Sequence, residues 1–402
     1  MDPLSNPYAP GAGAPPPALA GRDELLERFR ISTGRLVLGR QAKSVMLVGL
    51  RGVGKTVLLD RMREGAEGAG LQCVRVEAPE GRSLPAILAP QLRVVFLRLE
   101  RVAAAKALAG RALKALAGFV SGMKVKYGDL EIAVEQEPEP GLADSGDLEL
   151  DLQDLLESAG KAAKEADSAI VLFVDELQYV PEPELAALVV ALHRTAQRRL
   201  PVMLVGAGLP QLAGQMGRAK SYAERLFDFP EIGPLPSGPA RRALAEPAAD
   251  ESVAWTSRAL DEAVAATEGY PYFLQEWGKH AWDVAEGEAI RLEDVRGATS
   301  LAVAALDASF FRVRFDRLTP NEKVYLRAMA ELGAGPHRSG EVAAALGRDV
   351  RALAPLRSKL IQKGMVYSPS HGDTAFTVPL FDAFMRRIMP GAGASGRRRD
   401  RP

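Results

Sequence analysis

The chain has 402 residues, enough for two or three domains around a large apolar core, so small folds that depend on staples are excluded. Hydrophobic residues at 47% and charged ones at 25% exclude an intrinsically disordered chain. Lys plus Arg (51) balances Asp plus Glu (51), so any attraction to nucleic acid has to come from a local patch and not from the net field.

Residues 1–18 are rich in Pro and Gly, with no basic start and no apolar centre, and are expected to form a flexible arm and not a secretion signal. The apolar run Ser44–Val48, a Gly-rich turn and the helical pattern Thr56–Glu64 predict the strand–turn–helix opening of an α/β domain. Leu71–Glu77, Ala169–Val174 and Val202–Gly206 are short apolar runs followed by loop or helix signals, as buried parallel strands require, giving a three-layer α/β sheet. Cys73, the one cysteine, lies in the alternating run Cys73–Val76 and reads as a buried, inert thiol. His193, His280, His337 and His371 stand singly, which assembles neither a zinc-ligand spacing nor a Cys/His nucleophile pair.

Between the second and third strands, Leu84–Gly118 carries apolar residues at helical spacing, interleaved with Arg93, Arg98, Arg101, Lys106, Arg111 and Lys114; a long basic amphipathic helix is expected. The acidic stretch Asp129–Glu157 follows, with no Lys or Arg, and alternation at Leu130, Ile132 and Val134 suggests a β-hairpin arm. The pair reads either as a solvated surface insertion or as an element that docks a partner or a second copy. Leu200–Gly217 is free of charge but interrupted by Gly and Pro, which fits strand and loop better than a membrane span; a cytoplasmic protein with no membrane partner is expected. Ser237–Asp294 reads as a helical subdomain, Leu318–Met389 as a small α+β unit, and Pro390–Pro402, with Arg397, Arg398, Arg399 and Arg401, as a basic tail. The resulting division is an arm (1–18), a core (19–236, with an insertion at about 91–165), a helical lid (237–300), a C-terminal unit (310–390) and a tail (391–402).

The turn after the first strand reads Gly49-Leu50-Arg51-Gly52-Val53-Gly54-Lys55-Thr56, the G-x-x-x-x-G-K-[ST] phosphate loop, and it lies between a strand and a helix as its mechanism demands. The glycines let backbone N–H groups turn inward around phosphate oxygens, Lys55 neutralises the β and γ phosphates, the Thr56 hydroxyl ligates Mg²⁺, and the helix beginning through Val57 adds its positive end. Ile170-Val171-Leu172-Phe173-Val174-Asp175-Glu176 is an apolar strand ending in two carboxylates: Asp175 suits the Mg²⁺ shell, and Glu176, just past the strand end, suits a general base that orients water in line with the γ-phosphate. ATP and Mg²⁺ are therefore the expected ligands, and phosphoanhydride hydrolysis the expected reaction.

These two motifs resemble those of AAA+ and related P-loop ATPases, in particular the origin-recognition-like ATPases and the archaeal-type STAND group. The likeness implies a three-layer P-loop NTPase core with a parallel sheet, a helical lid and a C-terminal winged helix. Leu19-Ala20-Gly21-Arg22-Asp23-Glu24 resembles the Gly-Arg-acid motif with which these families begin, placing Gly21 and Arg22 near the adenine. Gly269-Tyr270-Pro271 resembles the Gly-x-Pro motif of STAND proteins, which implies that Pro271 packs close to the base. The pattern departs from AAA+ at Gly206-Ala207-Gly208, where a polar sensor residue is usual and Gln211 is the nearest polar candidate, and at Tyr272, where origin-recognition-like members carry Arg. Arg225 is the candidate arginine finger presented to a neighbouring copy.

In the C-terminal unit, helices are expected at Pro320–Glu331 and Ser339–Leu346, the second N-capped by Ser339 and stopped by Gly347, with a third beginning at Pro355. Met365–Ser368 and Ala375–Val378 flank a turn, and three helices with a hairpin resemble a winged helix. Arg351, Arg357, Lys359 and Lys363 lie on or beside the presumed recognition helix as candidate DNA contacts, with His371 in the wing; protein docking and a purely structural cap are the other readings. Together these features predict a slow ATP switch that repositions the winged helix in signalling or defence through protein contacts. The alternative is a DNA-binding ATPase resembling origin-recognition or transposition regulators, with duplex DNA as partner. A nucleotide-dependent homo-oligomer fits either.

Overall fold

The structure is a computed structural model that describes residues 1–11, 15–78, 82–127 and 136–391, with backbone alone for 124–127. The chain divides into two compact units, one of residues 22–49 and 54–232, the other of residues 1–21, 50–53 and 233–402.

The first unit is built on five strands: β1 (Ser44–Val48), β2 (Gln72–Glu77), β3 (Ile170–Asp175), β4 (Val202–Gly208) and β5 (Phe227–Asp228). They form one parallel sheet in the order β2-β3-β4-β1-β5. Every residue of β1, β3 and β4 is buried, which is why these strands read as continuous apolar runs and not as alternating ones. Its helices are α1 (Asp23–Val37), α2 (Lys55–Gly68), α3 (Leu84–Leu99), α4 (Lys106–Tyr127), α5 (Leu148–Glu165), α6 (Glu182–Gln197), α7 (Leu212–Ala219) and the single turn α8 (Ala223–Leu226).

The insertion differs from expectation. The single long basic helix is two helices, broken at residues 100–105, and α4 is no solvated surface element: Ala109, Ala112, Leu113, Leu116 and Phe119 join the same core as β3 and α5. Small Ala side chains let α4 and α5 approach closely, and Gly118 sits where a Cβ would lie 2.5 Å from the Leu142 carbonyl oxygen. The expected hairpin at Leu130, Ile132 and Val134 lies outside the described residues. The later part of the acidic stretch is the first half of α5, N-capped by Asp147, whose carboxylate accepts from the Glu149 and Leu150 amides. Among the described residues, one pairing joins the basic and acidic segments, Arg111 to Glu139 at 3.0 Å.

The second unit contains α9 (Ser237–Asp250), α10 (Ser257–Thr267), α11 (Pro271–Val284) and α12 (Leu292–Leu306), with the short parallel pair β6 (Ala254–Trp255) and β7 (Ala289–Ile290). A π-turn at Asp307–Phe311 runs into α13 (Arg312–Asp316). The C-terminal elements are α14 (Pro320–Leu332), β8 (His337–Arg338), α15 (Ser339–Leu346), α16 (Val350–Gln362), β9 (Val366–Tyr367), β10 (Asp373–Phe376) and α17 (Phe381–Ile388). The last three strands form an antiparallel sheet in the order β8-β10-β9.

Three expectations are corrected here. The N-terminal residues are not a free arm. The Met1 amino group donates to the Ala285 carbonyl at 2.7 Å, the Asn6 amide donates to Asp283 at 2.9 Å, and the Trp282 indole donates to the Asp2 carbonyl at 2.9 Å. Tyr8 is only 4% exposed, its hydroxyl accepting from Trp255 at 2.8 Å and donating to the Leu244 carbonyl, and its ring takes the space that a side chain at Gly278 would need. Pro355 does not open the third helix. Asp349 caps it by accepting from the Arg351 amide at 2.8 Å, so α16 starts at Val350 and Pro355 lies inside it. Ser339 is the first residue of α15 and not its cap; its hydroxyl donates to the Gly372 carbonyl at 2.9 Å, while Gly347 does end the helix in the left-handed region at φ 61°. Of the tail, residues 392–402 lie outside the described residues.

Candidate functional site

The Gly-rich turn leaves the C-terminal end of β1. Gly52 and Gly54 have φ of 83° and 89°, backbone that residues bearing a Cβ rarely adopt, and at Gly52 a Cβ would also meet the Tyr270 ring at 3.0 Å. Lys55 opens α2 and is 7% exposed; its ammonium donates to the Gly49 carbonyl at 2.9 Å, so the charge is held at the base of the turn. Thr56 and Val57 follow in the first turn of α2, both half-buried. At the crown of the turn, the Arg51 carbonyl accepts from the Tyr270 hydroxyl and the Gly52 carbonyl from the Tyr272 amide at 3.2 Å.

Asp175 ends β3 and is 3% exposed. Parallel pairing sets Arg75 of β2 opposite Phe173, and its guanidinium reaches Asp175 at 3.3 Å while also holding Asp60 at 2.9 Å. Glu176 follows in the left-handed region, φ 54°, a strained conformation for a residue with a side chain. That turn folds the chain back so that Gln178 meets it: the Gln178 amide donates to the Glu176 carboxylate, and its carbonyl oxygen accepts from the Leu209 amide at 3.1 Å. Arg75 and Gln178 are the site residues that motif reasoning missed. A charged residue inside an otherwise apolar strand-like run was the available signal for Arg75; for Gln178 there was none.

The structure also explains the glycines where a polar sensor was sought. A Cβ at Gly206 would lie 2.2 Å from Leu177 Cδ1 and 2.6 Å from Met46 Sδ, and one at Gly208 would lie 2.8 Å from Gln178 Oε1. Gln178 takes the polar place next to β4. Gln211 caps α7 with its buried Oε1 lacking a hydrogen bond.

The remaining candidates are spread more widely. Gly21 has φ 71°, and a Cβ there would lie 2.7 Å from Pro239 Cβ; Arg22 precedes α1, where burial lowers its pKa. Pro271 is the first residue of α11, just after Gly269, whose φ of 68° and close approach to the Leu235 carbonyl exclude a side chain. Arg225 is exposed on α8, which feeds β5; Phe227 pairs with Ser44 at the start of β1, so Arg225 stands at the sheet end opposite the one from which the Gly-rich turn leaves. A cleft of about 460 Å³ opens beside it, lined also by Arg40, Lys43, His193 and Tyr222. Of the candidate DNA contacts, Arg357 is committed to Thr374 at 2.6 Å and to the Asp373 carbonyl at 2.7 Å, and Lys363 to Glu322 at 2.7 Å. Arg351 and Lys359 are exposed. Burial pushes the Cys73 thiol up to about 12, in keeping with an inert sulfur. Among the described residues no cluster of His, Cys, Asp and Glu is suited to hold a metal on its own, and no helix is long and apolar enough to cross a membrane.

Residues 18–205 match a family model described as AAA ATPase domain, and residues 308–385 match one described as a domain of unknown function. No curated protein matches the chain in sequence. Among solved structures, the Walker-type ATPase of Pyrococcus abyssi is similar, with a TM-score of 0.57 at 15% identity over 92% of this chain and 96% of that one. The RuvB Holliday junction branch migration motor of Thermotoga maritima (TM-score 0.44, 15% identity, 90% and 96% covered) is a more distant likeness. So is the Aeropyrum pernix ORC1 protein in complex with DNA (0.44, 17%, 92% and 94%). The first of these speaks to the fold alone. Motif, sheet order and family match agree on a P-loop NTPase fold for the first unit, whose segment 18–205 is similar to the AAA ATPase domain.

Proposed function

We propose that the chain binds ATP with Mg²⁺ at Gly49–Thr56, hydrolyses it slowly, and uses the difference between the occupied states to reposition residues 310–390, read as a winged helix, in signalling or defence through protein contacts. The observation that carries this reading is the buried Lys55 ammonium at the base of a turn with two left-handed glycines, a backbone of the kind that lets successive amides converge on an anion. These donors suit phosphate oxygens, and the Thr56 hydroxyl with the Asp175 carboxylate suits the oxygen-rich shell of Mg²⁺, which when bound neutralises phosphate charge. Glu176 accepts the proton of an attacking water. Its hydrogen bond to Gln178, and the Arg75 guanidinium on Asp175, must both loosen before these carboxylates act, which favours slow turnover.

Lys55→Ala is expected to abolish nucleotide binding by fluorescent-nucleotide titration; retained affinity would remove the assignment. Glu176→Gln is expected to keep ATP affinity while losing about 10²–10⁴ of the turnover, read as phosphate release; unchanged turnover would take the base role from Glu176. Arg225 fits an arginine finger acting on a neighbouring copy, because it stands at the far end of its own sheet. Light scattering with and without an ATP analogue tests this, and a monomer throughout sinks it. The internal commitments of Arg357 and Lys363 weigh against DNA as the partner. Steep salt-dependent binding of duplex DNA would reverse that judgement.

A further inference from the structure

The β2–β3 register sets Arg75 opposite Phe173, so Asp175, two residues further along, lies diagonally across from it, within reach of a long side chain. The two oxygens of Asp175 have different partners. One accepts from the Glu176 amide at 2.9 Å, and the other faces the Arg75 guanidinium at 3.3 Å. The second distance is long for a hydrogen bond between full charges, which closes to about 2.7–2.9 Å. Arg75 is held more firmly elsewhere: its Nε donates to Asp60 at 2.9 Å and its Nη1 to the Val76 carbonyl at 2.8 Å. Asp60 lies on α2 four residues after Thr56, about one turn along the same helix face.

The guanidinium therefore spans two carboxylates, anchored on Asp60 and leaning on Asp175. Asp175 is buried, and a buried carboxylate is costly unless a cation stands beside it. Arg75 supplies that cation. A divalent metal drawn to the same oxygens by itself meets a carboxylate already neutralised and a positive group next to it, so it gains little there. A metal carried by phosphates is a different ligand. Phosphate oxygens lower its net charge and complete its shell, which offsets the repulsion from Arg75. When Asp175 turns to such a metal, Arg75 keeps Asp60 and the Val76 carbonyl, and its own charge is not stranded.

We propose that Arg75 is a positioning residue that sets the specificity of the metal site: it keeps Asp175 from free divalent metal and yields it to metal bound to phosphate oxygens. The inference deepens the nucleotide reading above and rests on its assignment of Asp175. Arg75→Gln removes the charge and keeps a donor, whereas Arg75→Lys keeps the charge on a single point that cannot span both carboxylates. The probe is Mn²⁺ without nucleotide, followed by loss of the free-ion signal in electron paramagnetic resonance. Arg75→Gln is expected to bind Mn²⁺ about tenfold or more tighter than the wild type, and Arg75→Lys to stay within about threefold of it. Adding Asp175→Asn to Arg75→Gln should remove the gain. Equal affinity in the wild type and Arg75→Gln, an equal gain in Arg75→Lys, or a gain that survives Asp175→Asn would overturn the proposal. Should Arg75→Gln show no cooperative urea transition, Asp60→Asn decides with the same probe. It takes away the firmer anchor and leaves Arg75 to Asp175, so Mn²⁺ affinity is expected to fall by about threefold or more; unchanged or tighter binding would sink the idea. Binding of a fluorescent ATP analogue by the wild type is measured separately. Its absence would remove the nucleotide reading, while the Mn²⁺ comparison still decides whether Arg75 guards Asp175.

Discussion

The two units solve the packing problem with different side chains. In the sheet unit, β1, β3 and β4 are buried along their whole length and filled mostly with aliphatic, Met and small residues, with Phe173 their one ring, down to Gly206 between Met46 and Leu177. In the other unit the core is aromatic. All three Trp residues lie there, and Phe273, Phe311, Phe381 and Phe384 meet edge-on or tilted, with centroids 5.3–6.3 Å apart. The difference follows from what sets the geometry. A parallel sheet fixes its own spacing through the backbone ladder, so side chains have only to fill volume. Helices without a shared ladder have no such template, and large rings with preferred edge-to-face contact supply both area and direction.

The sharpest way to break that comparison is Phe311→Ala. Phe311 is 1% exposed and touches four other rings, so truncation is expected to cost about 3–5 kcal/mol. Hydrogen exchange checks the location: amides of α11, α14 and α17 lose protection while β1, β3 and β4 keep theirs. Equal loss in both sets would mean that the aromatic cluster does not organise its own unit. The converse probe is Gly206→Ala in the sheet unit. Its Cβ would press on Leu177 and Met46, and overpacking is expected to cost about 1–3 kcal/mol by urea denaturation. Because Leu177 lies between Glu176 and Gln178, turnover should fall more than nucleotide affinity does.

What was legible in the sequence divides along the same line. The phosphate loop is contiguous, and the buried strands are apolar at each step, so both could be read without knowing what lies beside them. Arg75 and Gln178 could not, because their roles depend on neighbours: one on the β2–β3 register that carries it toward Asp175, the other on the left-handed turn at Glu176. The helical periodicity of Leu84–Gly118 runs unbroken through residues 100–105, which hid the break between α3 and α4. At Pro355 the local rule for helix starts lost to the stronger cap of Asp349, six residues earlier. The N-terminal segment was misjudged because Asp2, Asn6 and Tyr8 follow no period; only their partners on α9, α11 and β6 make them structural.

Those partners allow a gentler test. Tyr8→Phe keeps the ring against Gly278 but leaves the Trp255 N–H without its acceptor, at an expected cost of about 1–2 kcal/mol. Limited proteolysis should then cut within the first eleven residues sooner than in the wild type. If cleavage is unchanged, the segment is held by the backbone contacts of Met1 and Asp2 and not by Tyr8.

The smallest effect concerns charge in the aromatic unit. Burial opposes ionisation of Glu322, but the hydrogen bond from Lys363 and those from the Thr319 amide and hydroxyl outweigh it, holding the carboxyl below its usual value. A depressed carboxyl stabilises the fold in its ionised form, so the contribution is present above about pH 4.3 and is lost as pH falls through the lowered value. Lys363 is 37% exposed, so solvent screens the pair and the contribution is expected to be only about 0.5–1 kcal/mol. Wild type and Lys363→Met, compared by urea denaturation at pH 7 and pH 3, should differ at the first and converge at the second. A gap that persists at pH 3 would assign the loss to the packing of the lysine stem, and the same comparison shows whether the end of α16 is held by charge or by contact.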